Sequence, residues 1–377
     1  MKKILIFGPI GDFGGREVES GFIAKVLSSV YDVTVCSTGK MTKKSQVFDF
    51  NPKQKTLSLP DMMLKKYFHF RIFAFFSLMK NNFAGKAPDY AKNYLSLKFN
   101  YTKKLNDLIE NLIPEYDLLF ICAQIASAYI PESVAIASKK NIKIVFRTTG
   151  VITNIDYGYL SKVDCFIHHS VRNANRLAYS YMLIDQCALN EDTLLKIQPV
   201  SKQIQNFLTV SRLVQEKNVD VVIKAFLKSK AAGDKLYVIG DGPQKNELMQ
   251  LAAIEEDVIF PGLVDNDKIA GYFAKTDCMI VSHYDFETGP LTGIEAMAAG
   301  RIIISAKTGA MQDRLPFSNL WFDNNASDLA IQILKAKKLD SEEVADLSNA
   351  IQARYIDAYN TEIISKRYLA CIKALIS

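Results

Sequence analysis

The feature that most constrains this chain is an alternation. From residue 206 onward, short apolar runs at 206–210, 235–239, 258–260, 278–281 and 302–305 are separated by helical stretches at 219–228, 243–253, 267–274 and 291–299. Each run is too short for a buried helix and too uniformly apolar for a strand with one wet face. It reads as a strand covered on both sides. Strands that alternate with helices in this way form a parallel sheet with helices on both faces. The first half repeats the pattern less cleanly. Strands are expected at 3–7, 32–36, 117–122, 142–147 and 164–168. Helices are expected at 16–29, at 105–112 (broken by Pro114), between the third and fourth of those strands, and from about Val171. Residues 37–90 carry no clear period. The expected fold class is therefore α/β, with two Rossmann-like units in tandem. The change of unit is expected near 197–203, where Pro199 stands among polar residues. That gives domains at 1–199 and 200–360. The last helix, 361–376, is free to cap either, and 361–377 can pack back on the first.

Composition narrows the function classes. The six cysteines (36, 122, 165, 187, 278, 371) form no CxxC pair, which excludes a disulfide scaffold and a cysteine zinc site and suits a reducing cytoplasm. Four histidines are too few for His-rich metal chemistry. The opening MKKILIFGPIGDFGG has too short an apolar run for a signal peptide, and no run of about 18 apolar residues could span a bilayer. The net charge of +6 is unevenly spread: +9 over residues 1–200, −5 over 201–360 and +2 over 361–377. Two regions of opposite charge suggest domains that face different partners.

Two constellations carry chemistry. The first runs from His283 through Glu287, Gly289, Pro290, Leu291, Thr292 and Glu295 to Gly300. A strand ends near Ser282 and a helix starts near Pro290, a residue suited to a first helical position, while Gly300 suits the left-handed residue past the end. The amides of Gly289, Leu291 and Thr292 would then face an anion such as a diphosphate. Glu287, in the loop, is within reach of a sugar, and Glu295, one turn into the helix, of ribose hydroxyls. The second is Thr209-Val-Ser211-Arg212-Leu213-Val-Gln-Glu216-Lys217-Asn218. Arg212 and Lys217 flank the turn after a strand, and Asn218 is a good residue type to cap the following helix. Two cations at a strand's carboxyl end can neutralise a diphosphate, Arg as a fork and Lys as a point charge.

Together these residues resemble the retaining GT-B glycosyltransferases of family 4, the glycosyl transferases group 1. The resemblance is clear over about 206–312. It rests on the Ser-Arg-Leu…Glu-Lys motif, the turn Val238-Ile-Gly240-Asp-Gly242-Pro243, Phe260-Pro-Gly262-Leu, and Glu287 and Glu295 with seven residues between them. It implies two parallel sheets facing across a cleft and transfer of a sugar from a nucleotide-sugar with anomeric configuration retained. No metal or cofactor is implied, and the donor is expected to be a UDP-sugar ahead of a GDP-sugar. By the same resemblance Arg212, Lys217 and Glu287 are the catalytic candidates, with Arg212 and Lys217 on the diphosphate. Glu295 binds the ribose, Glu287 and the amides around Gly289, Pro290, Leu291 and Thr292 hold the sugar, and Gly262 and Leu263 lie against the base.

The Gly11-Asp-Phe-Gly14-Gly15-Arg16 loop also fits the family, with Gly14 and Gly15 letting backbone approach the donor phosphate or the acceptor. Its spacing is not G-x-G-x-x-G, and Cys36-Ser37-Thr38 stand where a dehydrogenase would carry a ribose-binding acid. The chain departs from the family in the first domain. Cys122 and Thr148-Thr149-Gly150 occupy places where many relatives have histidine, so the acceptor side is not assigned. His168 and His169 read as structural.

Residues 53–104 hold eleven Lys or Arg against Asp61 and Asp89, interleaved with aromatics. Such a stretch suits the interface of an anionic bilayer, and no motif supports nucleic acid. The expected partners are a nucleotide-sugar donor, a glycan or lipid-linked acceptor, and an anionic membrane surface. Such partners fit bacterial cell-surface polysaccharide or glycolipid assembly by a cytoplasmic protein peripheral on the inner membrane face. Two other readings stay open: a catalytically silent GT-B protein that binds a sugar nucleotide or a partner, and, more distantly, a sugar-nucleotide epimerase.

Overall fold

The structure, a computed structural model, describes all residues except 154–156, 253–254, 284–286 and 377. The expected helix end at Ala253 and residues 284–286 of the acidic motif lie outside the described residues. Two compact units share the chain. The first comprises Met1–His168, Arg176–Ile184 and Ser365–Ser377, and the second His169–Asn175 and Asp185–Ile364.

The first unit is built on seven strands: β1 (Lys3–Gly8), β2 (Asp32–Ser37), β3 (Lys55–Ser58), β4 (Leu118–Ala123), β5 (Lys143–Thr148), β6 (Cys165–His168) and β7 (Tyr181–Leu183). Their order is β3-β2-β1-β4-β5-β6-β7. The second unit holds β8 (Asn206–Val210), β9 (Lys235–Ile239), β10 (Val258–Gly262), β11 (Cys278–Val281), β12 (Ile302–Ala306) and β13 (Trp321–Phe322), in the order β10-β9-β8-β11-β12-β13. Every described pairing is parallel. Strands β4, β11 and β12 are buried at every residue, which is why they read as unbroken apolar runs. In each sheet the order reverses once, at β1/β4 and at β8/β11. Such a reversal opens a crevice at the strands' carboxyl ends.

The expected strands form, and β8, β9 and β11 occupy the expected residues. Four differences stand beside them. The change of unit expected at 199/200 comes at Asp185, because Ala188, Leu194 and Val200 belong to the second unit's core. Residues 37–90 are not irregular. They contain β3 and the helices Leu59–Lys66 and Phe68–Lys80. The strand β3 is a short, largely polar edge, and the second helix is apolar on nearly every side, so neither shows an amphipathic period. Residues 306–360 contain β13 and the helices Ala326–Lys337 and Ser341–Ala358. Finally, the helix from Val171 is a single turn, Val171–Ala174.

Candidate active site

All the expected donor residues except Gly14 and Gly15 lie in the second unit, at or just after the carboxyl ends of β8, β10 and β11 or on the helix that follows β11. The turn after β9 holds the turn after β8. The Gly240 amide bonds the Gly262 carbonyl at 2.9 Å, and Leu213 N–H donates to the Asp241 carbonyl, also at 2.9 Å. At Gly240 φ is 141°, and a Cβ there would overlap the Ser211 carbonyl oxygen. Only glycine allows that approach, and it fixes the backbone on which Arg212 stands. Arg212 itself is exposed and has no ion-pair partner among the described residues. Gly262 is left-handed at φ 78°, and Leu263 beside it is 78% exposed. Asn218 does not cap its helix through its side chain. It is left-handed at φ 51°, and its side-chain nitrogen is buried without a partner among the described residues.

The contact that closes the site is between β8 and β11. Lys217 Nζ donates to Glu287 Oε2 at 2.5 Å, and Ser282 Oγ donates to the Lys217 carbonyl at 2.7 Å. One partner follows β8 and the other β11, so the pair bridges the switch point of the second sheet. Burial raises the Glu287 pKa, but Lys217 outweighs it, and the carboxyl sits below its ordinary value. Glu287 is thus a carboxylate. His283 Nδ1 is 3.6 Å from the same oxygen, yet burial first and Lys217 second push its pKa down to about 3. It is a neutral imidazole, and its contact with Glu287 is not an ion pair.

The helix Leu291–Ala298 begins at the expected residue, with Pro290 just outside it and not at its first helical position. Pro290 is its cap, and Gly300 at φ 61° is the expected left-handed residue past its end. The amides of Gly289, Leu291 and Thr292 have no acceptor among the described residues, and the buried Thr292 Oγ1 also lacks a partner. Ser211 Oγ and His283 Nδ1 share that condition. Buried polar atoms are rarely left so in folded proteins, and several gathered at one set of strand ends mark a surface built for a polar ligand. Glu295 is buried one turn along the helix, and burial alone raises its pKa to about 8. It is therefore protonated at neutral pH.

Arg314, Asp185 and Gly309, which sequence reasoning missed, hold this helix start from beneath together with His169. Arg314 is fully buried and grips Asp185 with Nε to Oδ2 and Nη2 to Oδ1, both at 2.8 Å. Its Nη1 donates to the Pro290 carbonyl at 2.6 Å. Asp185 would be raised by burial, but Arg314 drives its pKa well below the usual carboxylate range. His169 Nδ1 lies 3.4 Å from Asp185, and a Cβ on Gly289 would come within 3.0 Å of the His169 ring. Gly309, left-handed at φ 51°, brings the turn after β12 onto the Glu287–Thr288 backbone, where a Cβ would lie 2.7 Å from the Thr288 carbonyl. Arg314 and Asp185 are 129 residues apart, which no local pattern reveals.

In the first unit the glycine loop is differently disposed. The Gly11 amide donates to Glu17 Oε1 at 2.7 Å and the Gly14 amide to Gln46 Oε1 at 2.8 Å. Of the two glycines expected to let backbone approach the donor phosphate or the acceptor, Gly14 thus has its amide taken by the unit's own Gln46. Gly15 is open, with nothing near a Cβ placed there. Of the two histidines, His168 faces Thr148, whose Oγ1 is 2.8 Å from its Nδ1. A cavity of about 720 Å³ also lies in this unit, lined by Met41, Leu57, Met62, Lys65, Lys66 and Leu112 among others, and none of the donor residues lines it.

Comparison with known proteins bears on the second unit directly. Residues 204–337 match the family model for glycosyl transferases group 1. That stretch of the second unit is similar to the family. The group 1 segment is also the scale of the curated matches. An alpha-monoglucosyldiacylglycerol synthase from Streptococcus pneumoniae is 32% identical over 140 residues, 35% of this chain and 31% of that protein. A putative colanic acid biosynthesis glycosyltransferase, WcaL, from Escherichia coli is 23% identical over 181 residues, 45% of each. The chain thus spans less than half the length of these relatives. Among solved structures, Anabaena Alr3699/HepE in complex with UDP superposes over 100% of both chains with a TM-score of 0.73 at 15% identity. The same protein with UDP-glucose gives 0.71. Matches of this kind show that the fold is GT-B, two α/β units with parallel sheets.

Proposed function

We propose that this chain transfers a sugar from a nucleotide-sugar to an acceptor with retention of configuration. The observation that carries the reading is the Lys217–Glu287 bond across the β8/β11 switch point, beside the acceptor-free amides of Gly289, Leu291 and Thr292. A diphosphate at this place meets the helix start and can draw Lys217 from Glu287, with Arg212 as a second, exposed cation. Glu287, released as a carboxylate, accepts hydroxyls of the sugar. Glu295 accepts those of the ribose. In front-face attack the acceptor oxygen bonds the anomeric carbon on the side from which the diphosphate departs, and the departing oxygen takes the acceptor's proton. The protein's part is to hold the charge that grows on the diphosphate.

UDP-sugar is the favoured donor, supported by neighbours whose structures hold UDP and UDP-glucose. A glycan or lipid-linked acceptor is favoured by relatives named for glucosyldiacylglycerol and colanic acid synthesis, in keeping with bacterial cell-surface polysaccharide or glycolipid assembly at the inner membrane face. No divalent metal enters this scheme, and the two cations serve in its place.

The test is turnover of radiolabelled UDP-sugars, and donor hydrolysis, by the wild type and Lys217→Ala. The expected loss is roughly 10²–10³ in rate with folding intact. Unchanged turnover in the variant would sink the assignment. A wild type that binds UDP yet neither transfers nor hydrolyses any donor would favour the silent sugar-nucleotide-binding protein instead.

A further inference from the structure

Helices on a globular unit normally turn their apolar stripe inward. The helix Phe68–Lys80 does this only with Phe70 and Ala74, which are buried. Its opposite side carries a second stripe, Phe68, Ile72, Phe75, Phe76 and Met79, continued by Phe83, at the three- and four-residue steps that align side chains along one face. All six are exposed, Phe68 at 69% and Phe83 at 61%. Single exposed apolar side chains are ordinary, but a contiguous row of this size marks an interaction surface. The chemistry beside it selects the partner. Lys65, Arg71 and Lys80 are exposed on or next to this helix and have no ion-pair partner among the described residues. The helix has no acidic residue, and of the two acids in 53–104, Asp89 is already paired with Lys40 at 2.7 Å. A protein partner could match an apolar row. A row of aromatics edged by unpaired cations, without any carboxylate, matches the headgroup–acyl boundary of an anionic bilayer. No described helix is long and apolar enough to cross a membrane, so the contact is one that lies on the surface.

We infer that the Phe68–Phe83 face docks the first unit on an anionic lipid bilayer. This deepens the acceptor half of the function proposed above, since a lipid-linked acceptor is met at such a surface. Docking itself is read without any transfer reaction, so the two can fail separately. The experiment is vesicle co-sedimentation of the full chain with phosphatidylcholine vesicles, with or without 30% phosphatidylglycerol, at several salt concentrations. The expected result is binding to anionic vesicles that salt weakens but does not abolish. Lys65→Glu/Arg71→Glu/Lys80→Glu should lower affinity by at least the loss of three cations, about five-fold each. Phe75→Ser/Phe76→Ser should remove the salt-resistant part. UDP-induced thermal shifts unchanged in both variants would show that they fold. Equal binding to neutral and anionic vesicles, or no loss in either variant, would overturn the inference. So would self-association in the wild type that the phenylalanine variant abolishes while vesicle binding stays.

Discussion

After β1 and after β11 the chain makes the same move, a strand running into a glycine-containing loop and then a helix, with glycine at residues 11, 14 and 15 in one and 289 in the other. In the first loop the unit fills its own amides, Gly11 from Glu17 and Gly14 from Gln46. In the second no described acceptor reaches Gly289, Leu291 or Thr292, and a lysine stands by on a glutamate it can leave. Glycine lets a backbone come close to something. The side chains around it decide whether that something is a ligand or the protein itself. A buried carboxylate such as Glu17 in the first turn repels a phosphate, whereas Arg212 and Lys217 near the second attract one.

The largest test of this contrast attacks the second turn from beneath. Arg314→Met keeps volume but leaves Asp185 buried and uncompensated, and frees the Pro290 carbonyl. It should cost about 3–5 kcal/mol in denaturant unfolding. UDP affinity of the folded fraction should fall, and Arg314→Lys, which keeps the charge without the fork, should recover part of both. A loss of stability with UDP affinity untouched would mean that the Arg314–Asp185 pair holds the fold and not the helix start. The next test concerns Glu295. Burial raises its pKa from the ordinary 4.5 to about 8, so the folded protein holds a proton that the unfolded chain releases. Stability should therefore fall as pH rises from 4.5 to 8, by about 1.4 kcal/mol per pH unit from this group. Glu295→Gln removes that slope, and the difference between variant and wild type, read by denaturation at pH 5, 6, 7 and 8, should widen toward pH 8. A difference independent of pH would refute the buried, protonated state. The smallest effect is expected in the first turn. Glu17→Gln keeps an acceptor for the Gly11 amide and should cost about 0.5–1.5 kcal/mol, with UDP affinity within two-fold. A ten-fold gain in UDP affinity there would erase the distinction between the two loops.

What the sequence disclosed follows the same physics. Strands buried on both faces, such as β8 and β11, need an unbroken apolar run, and a run is visible one residue after another. Lys217 and Glu287 were legible because each sits in a local motif, although only the folded sheet shows that they meet. The helix Ser341–Ala358 had a signal that went unread: Asp340 accepts from Glu342 and Glu343, and Glu343 accepts from the Asp340 amide, a capping box written in four residues. The helix Phe68–Lys80 had none, because a helix apolar on two faces lacks the contrast that periodicity measures. Arg314 stands 129 residues from Asp185, and the meaning of the two, with His169, is entirely in their meeting.

The division of the chain also sets an order on its synthesis. The first unit is not finished when its seventh strand emerges, because its last helical turns, from Ser365 on, follow the whole of the second unit. Tyr368 from that late segment packs edge-on against Phe22 at 6.5 Å and tilted against Phe120 at 6.3 Å, and its hydroxyl reaches Glu19 at 3.5 Å. At about 5–20 residues per second, the 185–364 stretch keeps those rings waiting for roughly 10–40 s on the ribosome. The unit with the aromatic outer stripe is thus begun first and closed last. Its window for aggregation, and its demand on chaperones, is set by the length of the other unit and not by its own.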